Sequence, residues 1–504
     1  MNLSIRNPVR LNQQRYLGWA ILAVITASII VIGLPWSVAG YVVGAVSLLL
    51  LTFIEPIGGI IILLLVAPLK ALIETETQLN LPLDIGQLTL LTITGLWALN
   101  RIVLRKSLAL RLSIVQIPVA LFLGGVLLSL PTSIALGKGL TEALKWFEIL
   151  FLITFCLALF RHKPDVHWLV FALVLAGSVQ AIVGLYEFFG GSGAAHLWIL
   201  NNQYFRAFGS FGQPNPFGAL MGLTLPFALL STLGYSWALW QEFAQKRPNW
   251  RKMLASPYHQ QIMIIIFYGA MSGLITAALL ASWSRGAWMG IAGATLFMII
   301  FIPRSIYKGI ALFGIILIAI ILVWTAGFIP STITSRLGGF VEELTTITDV
   351  RGVDITDSNY AVTERIAHWQ AAVAMAEESP WFGVGFGNYE VAYPSYALLN
   401  WPQPLGHAHN YYLNLMAEVG LVGLAAYLVA WIGILGLTIL AWRNNYGIER
   451  LWCIALLGVW AYLAIHNMVD KLYVNNLFLH IGCMLGLLAI LFRRSHSNRF
   501  EATN

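Results

Sequence analysis

Between Lys308 and Arg336 the chain has no charged residue, and the stretch GIALFGIILIAIILVW within it is almost wholly aliphatic. Runs of about 18 or more apolar residues cross a bilayer as helices, and such runs recur along the whole sequence. This repetition fixes the fold class as all-α, a polytopic transmembrane helical bundle. A β-barrel needs short segments of alternating polarity instead. A soluble chain is excluded by composition. Of the 504 residues 59% are apolar and only 10% charged, against roughly 25% charged in soluble domains.

The net charge of +7 is spread in small groups between apolar runs, a pattern that sets membrane topology rather than one that binds nucleic acid. Cys156, Cys453 and Cys483 all lie within apolar runs and offer neither a disulfide framework nor metal-ligand spacing. Arg6, Arg10 and Arg15 precede an apolar run without a convincing cleavage site, which reads as a retained signal anchor.

About fourteen spans are expected, starting near Tyr16, Trp36, Ile57, Gln87, Ser113, Trp146, Val166, Pro216, Gln260, Gly286, Lys308, Asn410, Leu451 and Val474. The count drops to about twelve if the second and third form one re-entrant hairpin. Five segments follow: a cytoplasmic stretch 1–15, helices over 16–328, an extracytoplasmic loop 329–408, three spans over 409–493 and a cytoplasmic tail 494–504. With the N-terminus inside, 20 of the 29 basic residues fall on the cytoplasmic side, as the positive-inside bias requires. The outer side keeps Lys70, Lys138, Lys145, Arg206, Arg285, Arg336, Arg351, Arg365 and Lys471.

Three outer contexts are unusual. In NNQYFRAFGSFGQPNPFGALMG (201–222) Arg206 is the single charge in a Gly- and Pro-rich loop that leads into a span. In ASWSRGAWMG (281–290) Arg285 sits in an uncharged turn too short to leave the bilayer surface. Both suit either headgroup anchoring or a phosphate, which a guanidinium fork grips bidentately. The loop helix TERIAHWQAAVAMAEESP (363–380) carries an apolar stripe of Ile366, Trp369, Ala372, Val373 and Ala376, and Pro380 stops it. It should lie along the membrane surface or cap a cavity. Arg365 in its first turn opposes the helix dipole, which suggests a binding or salt-bridge role. GVGFGN (383–388) follows a helix rather than a strand, so turn glycines explain it better than a nucleotide site. His407, His409 and Asn410 stand where the loop re-enters a span. Histidine suits proton transfer near neutral pH, although a plain interfacial residue has the same address. A metal at His407 and His409 needs a third ligand, and no carboxylate–histidine set is evident nearby. His466, Asn467 and Asp470 fall at another outer helix end.

HNYYLNLMAEVGLVG (409–423) has a His-Asn pair followed by Gly420 and Gly423. It resembles the signature of the O-antigen ligase and Wzy-type polymerase superfamily of integral membrane glycosyltransferases. RAFGSFGQPNPFG, SWSRGAW and ERIAHWQAA with SPWFGVGFGNY resemble its other blocks in the same order. The resemblance spans residues 200–425 and implies ligase-like transfer of a glycan from undecaprenyl diphosphate to an acceptor hydroxyl, outside a bacterial inner membrane. Arg206 and Arg285 would bind the diphosphate and His409 would be the catalytic base. Asn410 would orient His409, and Arg365, His407 and Asn215 would support the substrates. No metal or other cofactor is implied. The partners are the lipid bilayer, a polyprenyl-diphosphate-linked glycan donor and a glycan or glycolipid acceptor. Polymerases share these blocks, as does a branch linked to inorganic-carbon (bicarbonate) transport. A transporter would need ionisable groups near mid-membrane, whereas the charges here gather at one face. A scaffold would leave the outer arginines unexplained.

Overall fold

A backbone in lipid must satisfy its N–H and C=O groups internally, and each apolar run that can be followed does so as a helix. The computed structural model describes residues 48–77, 83–191, 197–199, 202–246, 258–328, 349–356 and 359–503, apart from positions 105, 109 and 163. The helices are α1 (Pro56–Val66), α2 (Lys70–Thr77), α3 (Ile85–Val103), α4 (Gln116–Ser129), α5 (Leu136–Leu159) and α6 (Asp165–Gly190). After the short antiparallel strands β1 (Trp198–Ile199) and β2 (Tyr204–Phe205) come α7 (Pro214–Lys246), α8 (Tyr258–Ala281), α9 (Arg285–Phe301) and α10 (Ile306–Thr325). The chain ends with α11 (Tyr360–Glu378), α12 (Tyr389–Ala392), α13 (Tyr411–Asn444), α14 (Gly447–His466) and α15 (Leu477–Thr503). This is the all-α bundle expected.

Among the described residues, eight helices are long and apolar enough to cross a membrane; α4 and α9 are shorter apolar helices. The expected spans from Tyr16 and Trp36, the segment 1–15, Arg336 and loop residues 329–348 lie outside the described residues. Every other expected span coincides with a helix. The helix expected from Trp146 starts earlier, at Leu136. Its first turns hold charges that the fold pairs: Lys138 with Glu390 at 2.8 Å, Lys145 with Glu142, and Glu148 with the Gln87 amide at 2.9 Å.

Several aromatic polar tips in the core find partners, as buried Trp and Tyr usually do. Trp452 Nε1 donates to Ser231 Oγ at 3.1 Å, and Tyr462 OH donates to the Gly218 carbonyl at 2.9 Å. Gly222 makes room for the Tyr462 ring, since a Cβ there would lie 2.1 Å from it.

Charges divide between the two ends of the bundle. At one end Arg494 pairs with Glu449 at 2.8 Å, and Arg450 binds the carbonyls of Phe301 and Ile302. At the other, Lys70 pairs with Asp84 at 3.3 Å and Lys471 approaches Glu142 at 3.8 Å. The second end carries the loop helix α11, which packs on α13. Its buried face is Thr363, Ala367, Ala371 and Met375 together with Val362, Ile366, Ala372 and Ala376. The stripe is therefore rotated from the expected one: Val373 is exposed and Trp369 half-buried. Small side chains let α11 approach α13 closely, and this packing, not the bulkiest residues, sets its orientation.

Gly420 breaks α13. Its φ of 62° is left-handed, and a Cβ would lie 2.3 Å from the Trp381 carbonyl carbon. Only glycine fits there. The amides freed by the break are not orphaned: Leu421 N donates to Pro380 O at 2.8 Å and Val422 N to Trp381 O at 3.2 Å. Gly423, one turn on, lies against Gly125 of α4. Both glycines of the His-Asn block thus have a packing reason.

Candidate active site

Arg206 follows β2 in a loop that α6 holds from beneath. Glu187 Oε2 accepts the amides of Phe208 at 3.0 Å and Gly209 at 2.6 Å. Gln180 Oε1 accepts the amide and the hydroxyl of Ser210, each at 3.1 Å. The loop is also sewn to the end of α8: Ala207 N donates to Ala281 O at 2.9 Å, and Arg206 Nε donates to Ser282 O at 3.1 Å. Arg206 and the turn before Arg285 are therefore one unit.

Arg285 is the first residue of α9, and Ser284 caps that helix by accepting from Ala287 N. Ser284 Oγ donates to Asn215 Oδ1 at 2.9 Å, so Asn215 braces the turn that presents Arg285. A cavity of about 100 Å³ is lined by Arg206, Arg285, Arg365, Asn215, His466 and Asp470, among others. Three guanidinium groups and one carboxylate share it. Burial lowers the Arg206 pKa to about 10, with the charges of Arg365 and Arg285 adding to the shift. Burial also lowers Arg365, against the pull of Asp470 and Glu364. Like charges so crowded are stabilised by an anion between them, and guanidinium forks match phosphate.

His409 stands beside this cavity rather than in its lining, and Asp470 connects the two. His409 Nδ1 lies 3.9 Å and His407 Nε2 3.7 Å from the same Asp470 Oδ1. His407 Nδ1 accepts the His409 amide at 3.1 Å, which leaves the His407 proton on Nε2, facing Asp470. His409 has a left-handed φ of 51°, uncommon outside glycine, and its buried Nδ1 makes no hydrogen bond. Burial pushes both pKa values down to about 3, with Lys471 adding at His407 and His407 adding at His409. Both imidazoles are neutral at physiological pH, the form a base needs.

Asn410 does not orient His409 through its side chain. Its Oδ1 caps α13, accepting from Tyr412 N at 3.0 Å and Leu413 N at 3.1 Å. It fixes the backbone where His409 turns into the helix. The anchor is completed by Tyr411 N donating to Asn467 O at 2.8 Å and Ala408 N donating to Asn414 Oδ1 at 3.1 Å.

Asp470 also corrects the reading of the histidine pair. The neighbouring sequence offers no third ligand, but the fold brings Asp470 to it, and the donor atoms of His407, His409 and Asp470 lie within 4.8 Å of one another. That donor set meets the minimum for a cation. The field around it opposes one, because Arg365 and Lys471 both act on His407 to disfavour positive charge. Asp470 serves better as the carboxylate that faces a neutral imidazole.

Glu187, Ser284, Asp470 and Lys471 complete the constellation. Asp470 is visible in sequence only as a polar residue at a helix end, and Glu187 only as an acid near the end of a span. Their partners lie far along the chain.

Residues 270–428 match the family model described as O-antigen ligase. The segment carries Arg285, Arg365, His407, His409 and both glycines of the block; Arg206 and Asp470 lie outside it. No curated protein matches the chain.

Proposed function

We propose that this chain, whose residues 270–428 match the O-antigen ligase family model, transfers a glycan from undecaprenyl diphosphate to an acceptor hydroxyl outside the bacterial inner membrane. The observation that carries this reading is the gathering of Arg206, Arg285 and Arg365 around one cavity whose carboxylate, Asp470, faces His409. Three cations against one carboxylate leave the excess positive charge that a diphosphate neutralises.

A groove of about 510 Å³ runs down the flank of the bundle beside this site, lined by Phe297, Tyr412, Tyr427, Trp431, Trp460 and Ile465 among others. Tyr412 and Ile465 are close in sequence to His409 and His466, so the groove approaches the site. Its apolar lining suits a polyprenyl tail, with the diphosphate at the arginines.

In the reaction the acceptor oxygen attacks the anomeric carbon. His409 takes the hydroxyl proton, and Asp470 stabilises the imidazolium that forms. The bond between the anomeric carbon and the phosphate oxygen breaks, and undecaprenyl diphosphate leaves with the electron pair. Arg206 and Arg285 neutralise the charge that builds on it, which lowers the barrier most when they are already in place. The activated linkage between the anomeric carbon and the diphosphate supplies the driving force, so no nucleotide is consumed. Both termini lie in the cytoplasm and the site faces the periplasm, in keeping with the basic groups at the opposite end of the bundle.

The test is deletion of the gene and inspection of surface glycan. Polymer that is made but not attached assigns a ligase, and single repeat units assign a polymerase. Unchanged glycan overturns the reading. His409→Ala, at normal membrane abundance, should lower transfer by roughly 10²–10⁴-fold.

A further inference from the structure

The arginine cavity has a neighbour across Asp470. A second hollow of about 420 Å³ is lined by Thr75, Gln213, His407, Asp470, Lys471 and Asn475, among others. Asp470 lines both cavities, and the His407 ring lies 4.4 Å from that of His409. Asp470 is therefore the partition the two share, His407 lines the second hollow, and His409 packs against His407.

We propose that this second hollow receives the acceptor, and that what it takes is a hydroxyl-rich sugar terminus; the assignment rests on the transferase reading above. A displacement at an anomeric carbon needs the incoming oxygen opposite the leaving group, with the base on the incoming side. The leaving diphosphate belongs with the arginines, so the acceptor comes from the far side of Asp470, where that carboxylate and His407 line this hollow. The arginine cavity, at about 100 Å³, has no room for a second sugar. A volume of 420 Å³ lies within the roughly 300–1,000 Å³ usual for small-molecule sites.

The lining fits hydroxyls rather than phosphate. Gln213 and Asn475 carry amides with both donors and acceptors, Thr75 a hydroxyl and Asp470 a carboxylate, a mixture that matches the donor–acceptor character of a sugar hydroxyl. Lys471 brings the positive charge of this hollow, but Glu142 lies 3.8 Å from its ammonium. The hollow therefore lacks the surplus of cations that marks its neighbour. It also draws on α2, the start of α7 and the 470–475 segment, whereas the apolar groove draws on α9, α13 and α14. A lipid tail in the groove and an acceptor in the hollow do not compete for space.

The experiment fills the hollow from its rim. Thr75 and Gln213 are both exposed, so Thr75→Trp and Gln213→Trp disturb little packing. Each variant, alone and combined, is measured twice: for binding of undecaprenyl diphosphate to the purified protein, and for glycan transfer in deletion cells at matched membrane abundance. The expected result is binding within about twofold of wild type and transfer lowered by about tenfold or more, the pattern of a lost acceptor site with an intact donor site. Retained binding also shows that the variants fold. Full transfer in the combined variant overturns the assignment. Loss of undecaprenyl diphosphate binding overturns it too, because the hollow would then belong to the donor. A wild-type protein that fails to bind undecaprenyl diphosphate overturns the transferase reading itself, and does so before any variant is made.

Discussion

Glu187→Ala tests whether the Arg206 loop is held ready by α6. The carboxylate accepts the buried Gly209 amide at 2.6 Å and the partly buried Phe208 amide at 3.0 Å. Alanine removes the one oxygen that accepts both amides and leaves them without a replacement. An unsatisfied buried N–H costs about 1–3 kcal/mol, and a partly exposed one, which water can reach, nearer the 0.5–1.5 kcal/mol of an ordinary net hydrogen bond. The loop is then destabilised by roughly 2–4 kcal/mol relative to looser arrangements, a factor of about 30–900 in their ratio. Glu187→Gln keeps one carbonyl oxygen with two lone pairs and should lose far less. The assay is glycan transfer at matched membrane abundance, with thermal unfolding of the purified protein beside it. Transfer should fall at least about tenfold in the alanine variant and only a few-fold in the glutamine variant. The melting temperature should fall as well, because Ala207 and Phe211 of the loop are buried in the main core, so transfer is compared well below the transition. Wild-type transfer in Glu187→Ala would refute the claim that these two hydrogen bonds position Arg206.

Arg285→Lys keeps the charge but loses the bidentate fork; undecaprenyl diphosphate should bind at least about tenfold more weakly, and unaltered binding removes Arg285 from the diphosphate site. Gly420→Ala combines a left-handed φ with a Cβ 2.3 Å from the Trp381 carbonyl carbon. It should cost about 2–4 kcal/mol, read as a lowered melting temperature, while Gly436→Ala, with open space around it, should be close to neutral. Stability should fall on acidification. His368, His407 and His409 have folded pKa values pushed down to about 4, 3 and 3, burial being the largest cause in each, against roughly 6.5 in the unfolded chain. Their neutral forms favour the fold fully above about 6.5, and that contribution fades as pH drops towards 4. Melting temperatures at pH 8, 6 and 4.5 measure it, and a rise on acidification contradicts the burial of these rings.

The helices were legible in sequence because lipid leaves the backbone one local solution, and because charge-free runs mark where that solution applies. Turn chemistry was legible at Gly383, Gly385 and Gly387, whose φ values of 67°, 99° and 72° are those glycine supplies. The rotation of α11 was not, since its partner α13 is chosen by the fold, and Ala367 and Ala371 carry little periodic signal. The grouping of Arg206, Arg285 and Arg365 was foreshadowed by their isolation in uncharged contexts. The approach of Asp470 to His409 was not, because nothing in either segment encodes it. Asn410 shows the same limit: an asparagine before a helix is read as easily as a cap as it is as a catalytic partner, and the two amides at 3.0 and 3.1 Å decide for the cap.

The broken ladder of α13 has a practical meaning for anyone exchanging parts between such proteins. The carbonyls of Pro380 and Trp381 complete the turn that begins at Leu421, and Val384 N donates to Ala417 O at 2.9 Å. The polar cap and the top of the spanning rod are thus one mechanical body, joined by backbone. A graft that swaps the cap and stops at the mouth of the rod would cut through that joint. A seam placed below Gly423 would carry the whole body across intact.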